Sequence, residues 1–156
     1  MDAEVWPDER VVKFVTENFL PARVHVKQDG ELYKKYSELY SAPWTPTVLE
    51  LDPEGVERHR IEGFLPTDDF LGQLMLGTGK IAFAAEKWDD AERRFREIVD
   101  TLPNTDAAPE ALYWAGVARY KATHNAEPLK QTANAFKQRY QTSSWAKKAS
   151  VWAAEK

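Results

Sequence analysis

The sequence predicts a mixed fold, in which a small α/β region is followed by a region that is entirely helical. Three observations support this prediction: a strand–turn–strand pattern over residues 44–63, strict alternation over residues 22–27, and helical periodicity from residue 67 onward. The length of 156 residues suits one small domain with a helical extension. We therefore expect an α/β domain with three strands at residues 1–71 and an all-α domain at residues 72–156.

The hairpin prediction depends on turn chemistry between two short strands. Residues 47–51 are mostly β-branched or apolar, which is typical of a buried strand. In the Asp-Pro-Glu-Gly turn that follows, Pro53 fixes φ at the first central position and Gly55 relieves strain at the exit. Residues 56–61 carry alternating charged side chains, as expected of an edge strand. Pro46 stands at the entrance of the first strand, and we predict a cis peptide bond there.

The region before the hairpin is predicted to form a helix, a strand and a second helix. Apolar residues recur at helical spacing between Val11 and Phe19, and Pro21 ends this helix. Val24 and Val26 alternate with polar residues, which is the period of a strand. The apolar stripe predicted for the second helix consists of Leu32, Tyr36, Leu39 and Tyr40.

The helical region repeats with a period close to that of known two-helix repeats. Gly79 and Gly116 are 37 residues apart, and each would be the small residue in the first helix of a pair. Ala91 and Phe95 are four apart in the second helix of the first pair, and residues 145–152 would form a terminal helix. A generic helical bundle also needs small residues where helices cross, so it explains the same pattern.

Two family resemblances follow from these patterns. A Thr-Pro46-Thr sequence, an apolar strand, an Asp-x-x-Gly turn, a strand ending at Gly63 and a helix opening at Pro66 together resemble the second half of the thioredoxin fold. The helical repeat resembles tetratricopeptide helix pairs. The resemblance implies a partial thioredoxin-like sheet of three strands, followed by a tetratricopeptide-like array of helical hairpins. It also implies that Pro46 is the cis-proline that hydrogen-bonds a bound peptide in that family.

Composition and motifs exclude several classes of chemistry. The chain has no cysteine, which excludes disulfides, thiolate nucleophiles and cysteine-ligated metals. The net charge of −4 argues against nucleic-acid binding, and no apolar run is long enough to span a membrane. The acidic N-terminus does not resemble a signal peptide, so we expect a cytoplasmic protein. The sequence places no further metal ligand and no catalytic base at a useful spacing from His25, His59 or His124. We therefore predict no catalytic residue, metal or cofactor.

The sequence therefore predicts a redox-inactive module that binds a protein or peptide partner. In the proline loop, the predicted peptide contacts are Trp44, Thr45, Pro46 and Thr47. On the concave face of the helical hairpins, they are Gln73, Lys80, Phe83, Tyr113 and Tyr120. Simple packing in the core explains Phe83 and Tyr113 equally well.

Two alternative functions stay open at the level of sequence. The chain is also explained as a fragment of a thiol–disulfide oxidoreductase whose Cys-x-x-Cys lies upstream of Met1, so whether the native protein is an enzyme is undecided. The other alternative is a structural assembly subunit. In the thioredoxin-like sheet, the strand missing between those of Val24 and Val48 would leave backbone groups unpaired, at a cost of about 1 to 3 kcal/mol each. Either these two strands pair directly with each other, or a segment of a second copy fills the gap, and we predict a homodimer formed by strand pairing or swapping.

Overall fold

The computed structural model describes residue 1 and residues 3–153, so residue 2 and residues 154–156 of the two predicted domains lie outside the described part. The described residues fold into seven α-helices, one 3-10 helix and two strands, and the chain is mostly helical. The chain divides into two compact units, Met1–Leu71 and Gly72–Lys156. The elements are α1 (Glu9–Asn18), α2 (Gly30–Leu39), β1 (Thr47–Leu51), β2 (Glu57–Glu62), α3 (Thr67–Ala84), α4 (Trp88–Thr101), α5 (Ala107–Thr123), α6 (Glu127–Gln138), α7 (Ser144–Ala149) and the 3-10 helix Ser150–Trp152.

The N-terminal segment is fixed to the first turn of α3, within the first unit. The carboxylate of Asp8 caps α1 by accepting a hydrogen bond from the backbone N–H of Arg10 at 2.9 Å. The guanidinium of Arg10 also forms an ion pair with Asp68, at 2.9 Å. The ring of Trp6 packs edge-on against the fully buried Phe70, with centroids 5.0 Å apart. One polar and one aromatic contact therefore hold the two helix starts together.

The predicted hairpin is present, and its turn has the predicted chemistry. β1 and β2 pair antiparallel, with Thr47 opposite Glu62. The N–H of Gly55 donates to the carbonyl of Asp52 at 2.9 Å, and Gly55 has a φ of +80°, which a side chain would strain. The Asp52 carboxylate also accepts the N–H of Val56 at 2.9 Å. Local turn chemistry is thus sufficient to reverse the chain here.

The prediction of a three-stranded, partial thioredoxin-like sheet is wrong. In the described part of the chain the sheet has two strands, and residues 22–27 have no regular strand structure. Side chains satisfy the backbone donors that a strand would offer to a neighbour. The ring nitrogen Nδ1 of His25 accepts the N–H groups of Lys27 and Gln28 at 3.2 Å each. The Asp29 carboxylate accepts the N–H of His25 at 2.8 Å, so this segment is stabilised locally instead of by strand pairing.

The second predicted helix forms, but its apolar stripe is not buried. Leu32, Tyr36 and Leu39 are 43%, 39% and 63% exposed, and Tyr40 is half-buried. No residue of α2 is buried. Helical spacing correctly indicated that one side of α2 is apolar, although the periodicity carries no information on whether another element covers that side.

The helical unit repeats one crossing contact in two successive helix pairs. A Cβ atom built on Gly79 of α3 would lie 2.4 Å from the Phe95 ring of α4. One built on Gly116 of α5 would lie 2.1 Å from the Thr132 hydroxyl of α6. Phe95 follows Gly79 by the same number of residues as Thr132 follows Gly116. The contact between the helices therefore recurs with the 37-residue period of the sequence. Only glycine permits both approaches without displacing the facing helix.

Helix α5 is central to the helical unit. It packs against α4, α6 and α7. Its fully buried residues are small, which lets neighbouring helices approach closely. These residues are Ala107, Ala108, Ala111, Ala115 and Ala118. The packing of α5 therefore fixes the position of the aromatic side chains that it carries.

Candidate functional site

Six aromatic rings form an unbroken series of contacts on the helical unit, which we call the aromatic ladder. Neighbouring ring centroids along it are 4.6 to 5.6 Å apart, mostly in edge-on or tilted arrangements. Each of the six side chains is half-buried, so part of each ring reaches solvent. The rings belong to Phe83, Trp88, Tyr113, Trp114, Trp145 and Trp152.

Five elements of the helical unit supply these rings: α3, α4, α5, α7 and the 3-10 helix. Phe83 lies near the end of α3 and contacts Trp88 at the start of α4, with centroids 4.9 Å apart. Phe83 also contacts Trp114 of α5, at 5.2 Å. Tyr113, which precedes Trp114 on α5, stacks on Trp152 of the 3-10 helix with ring centroids 4.6 Å apart. The ladder therefore depends on the folded arrangement of the whole unit and not on one helix.

An ion pair lies beside the middle of the ladder. The ammonium of Lys80 on α3 is 2.8 Å from a carboxylate oxygen of Glu110 on α5. The same carboxylate accepts a hydrogen bond from the indole N–H of Trp114, at 3.3 Å. Glu110 thus neutralises Lys80 and orients Trp114, because both groups share one carboxylate.

The two ends of the ladder carry lysines whose ammonium groups lie over aromatic rings. Lys121 is 5.1 Å from the centroid of Trp88, and Lys148 is 3.7 Å from that of Trp145. Both lysines are exposed. A cation–π contact with an exposed cation contributes about 0.5 to 1 kcal/mol. The ladder is therefore an apolar strip with a positive charge at each end.

The structure brings together three of the five residues predicted for the concave face. Phe83 and Tyr113 belong to the ladder, and Lys80 pairs with Glu110 beside it. Gln73 is half-buried on α3 and Tyr120 is 39% exposed near the end of α5, and neither is one of the six ladder residues.

Sequence reasoning missed most of the ladder. It used repeat offsets in the first helix of each pair, and so overlooked Trp88, Trp114, Trp145 and Trp152. The available signal was the distribution of tryptophan, because these are four of the six tryptophans in the chain and all follow residue 87.

In the predicted proline loop, hydrogen bonds hold the backbone in place and the ring of Trp44 is exposed. The Thr45–Pro46 bond is cis, which confirms that prediction. The hydroxyl of Thr47 donates to the carbonyl of Trp44 at 2.7 Å, and the carbonyl of Pro46 accepts the N–H of Gly63 at 2.8 Å. The side chain of Trp44 is 67% exposed.

The histidines and the shifted ionisable groups have structural surroundings. His25 accepts backbone hydrogen bonds in a turn, His59 lies on β2, and His124 ends α5 with a φ of +55°. The hydrogen bond from Arg60 lowers the pKa of Glu57 below its usual range, within a surface ion pair. The described residues contain no group of three or more His, Asp or Glu side chains placed to hold a metal ion. They also contain no helix with the length and apolarity needed to cross a membrane.

Comparison with family models, with curated proteins and with solved structures gave no match for this chain. The resemblances to thioredoxin-like and tetratricopeptide proteins therefore stay predictions from the sequence.

Proposed function

We propose that this chain is a protein-interaction module that binds an extended peptide segment of a partner protein along the aromatic ladder. The observation that carries the proposal is the unbroken series of half-buried rings, flanked by Lys121 and Lys148. Aromatic side chains supply large, rigid contact areas and dominate the binding energy of many interfaces. In this proposal the chain takes no part in dithiol exchange, since it contains no cysteine.

The ladder favours a peptide with apolar side chains in its middle and carboxylates towards its ends. Apolar or aromatic side chains would lie on the rings between Phe83 and Tyr113. Carboxylates would reach Lys121 and Lys148, and each exposed ion pair adds up to about 1 kcal/mol. Because the whole chain has a net charge of −4, this attraction is local to the two lysines and weakens with salt.

The proline loop is proposed as a second peptide contact. Trp44 offers an exposed ring, and residues 45–47 border the outer edge of β1. In this proposal an apolar side chain of the peptide packs on the exposed indole, and the peptide does not pair with the edge of β1. Trp44→Ala should weaken peptides that bind there and should leave ladder-binding peptides unaffected.

A peptide array tests the proposal at the ladder. Peptides that combine a central aromatic residue with terminal Asp or Glu should bind the wild-type protein, and scrambled-charge versions with terminal Lys should not. Lys148→Glu should weaken the selected peptides about tenfold, because it removes one attraction and introduces one repulsion.

Lys147→Glu is the matched control. Lys147 is exposed on the same helix α7, so its reversal changes the net charge equally without altering the cation over Trp145. Absence of any binding peptide, or equal loss of affinity in the two variants, would contradict a site at the ladder. Circular dichroism spectra of both variants verify that the helices are intact.

A further inference from the structure

Each strand of the hairpin has an outer edge, and the hydrogen bonds of β1 identify which of its backbone groups point away from the sheet. At the start of β1 the carbonyl of Pro46 accepts the N–H of Gly63 at 2.8 Å. Beyond its end, the N–H of Asp52 donates to the carbonyl of Val56 at 2.9 Å. Residues 46 and 52 therefore direct these groups toward β2. Because the direction alternates along a strand, the N–H and C=O groups of the odd-numbered residues between them face outward. The residues whose N–H and C=O groups point to the outer edge are Thr47, Leu49 and Leu51.

The two outer edges of the hairpin differ in character. β2 is covered with charges: Arg60 pairs with Glu57 at 2.7 Å and with Glu62 at 3.1 Å. Long charged side chains protect an edge strand against further pairing. β1 has one charged residue, Glu50, which is only 2% exposed. In the described part of the chain β1 pairs with β2 alone, so its apolar outer edge is the one open to another strand.

We propose that β1 of one copy of this chain pairs antiparallel with β1 of a second copy, about a two-fold axis at Leu49. In this register Leu49 faces Leu49 of the partner subunit, and Thr47 faces the partner subunit's Leu51. Val48 faces the partner subunit's Glu50, so no like charges are directly opposite. Three outward residues on each strand give about six hydrogen bonds between the copies.

The register follows from the extent of pairing. An axis through Val48 or Glu50 would also set outward-facing residues opposite each other, but only an axis through Leu49 pairs all five residues of β1. Two strands of five residues bury less surface than a typical stable dimer interface. We therefore expect a dimer that forms in the micromolar to millimolar range and dissociates on dilution.

Proline substitutions test the edge by sedimentation velocity over a concentration series. Leu49→Pro removes an N–H that the hairpin does not use, so the hairpin tolerates it while the dimer loses its central bonds. The dimer dissociation constant should rise about tenfold or more. Leu49→Lys should have the same effect through repulsion across the axis. Glu62→Pro is the control, because it changes the outer edge of β2 and should leave dimerisation unchanged.

Single cysteines test the register, because the natural chain contains none. Opposed Leu49→Cys residues would have Cα atoms about 5.5 Å apart, within disulfide range. Opposed Thr47→Cys residues would be separated by about 13 Å along the strand, which is out of range. Mild oxidation should therefore cross-link Leu49→Cys and the double variant Thr47→Cys/Leu51→Cys, but not Thr47→Cys alone.

Several results would overturn the proposal. These are a monomer at every concentration, a dimer that Leu49→Pro leaves unchanged, or equal cross-linking of the Leu49→Cys and Thr47→Cys variants. A monomer that binds an added extended peptide at β1 would replace the second copy by another protein, and would also overturn it. None of these results depends on the aromatic ladder, so the dimer and the proposed function fail separately.

Discussion

Substituting Gly116 by alanine tests the helix crossing that recurs in the helical unit. The added Cβ would lie 2.1 Å from Oγ1 and 2.9 Å from Cβ of Thr132 on α6. Thr132 is buried, and its hydroxyl donates to the carbonyl of Pro128 at 2.8 Å. The Cβ of Thr132 is fixed to its backbone, so rotating the side chain cannot relieve the clash. The two helices must therefore move apart.

The net effect is a difference between two opposing terms. Overpacking a well-packed core costs about 1 to 3 kcal/mol, and disturbing the Thr132 hydrogen bond costs about 1 kcal/mol more. Alanine gains about 1 kcal/mol over glycine in helix propensity. We therefore expect Gly116→Ala to lower the free energy of unfolding by about 2 kcal/mol. Gly30→Ala is the matched control in α2, because a Cβ at Gly30 has no atom within 4 Å. It should be neutral or stabilising.

Urea unfolding followed by circular dichroism measures both variants. Combining Gly116→Ala with Thr132→Ala removes the 2.1 Å contact, so the pair should be less destabilising than the two single changes added together. The reasoning is refuted if Gly116→Ala is as stable as Gly30→Ala, or if the double variant is strictly additive.

Two further predictions concern pH. The Tyr140 hydroxyl donates to the Pro103 carbonyl at 2.8 Å, so Tyr140→Phe should cost about 1 kcal/mol. Burial raises the pKa of Tyr140, so the folded state keeps this proton longer, and stability should fall as pH rises above about 10, a slope that Tyr140→Phe removes. For Asp52, burial raises the pKa, but hydrogen bonds from Val56 and Arg58 outweigh it and the pKa is lowered. Its stabilisation is thus present above pH about 4 and lost below it; Asp52→Asn should flatten this acid slope, and Asp52→Ala should also destabilise the turn at every pH. Thermal unfolding across a pH series measures all three variants, and unchanged slopes would contradict these assignments.

The parts of the fold that were predictable from sequence are those with local causes. The Asp52 to Gly55 turn carries its own hydrogen bonds, so its residue types were sufficient. The helix pairs follow from apolar periodicity and from glycines that permit close crossing. The prediction of a strand at residues 22–27 failed because an alternating pattern does not supply a neighbouring strand. The side chains of His25 and Asp29 accept the backbone N–H hydrogen bonds instead.

The candidate site was predictable only in part, for a similar reason. Lys80, Phe83 and Tyr113 lie in the first helices of the two pairs, where repeat offsets place them on one side. The positions of Trp145 and Trp152 depend on how the last helical segment folds back against α5, which is a tertiary contact that spacing does not encode.

The most direct test of the proposed peptide site is the response of the tryptophan indole N–H signals in nitrogen-15 NMR. Titration with an acidic, aromatic peptide should shift the signals of Trp114 and Trp145 in the ladder. It should leave Trp6 unchanged, because that ring packs on Phe70 in the first unit. Peptide binding that leaves the ladder signals in place would contradict the proposal.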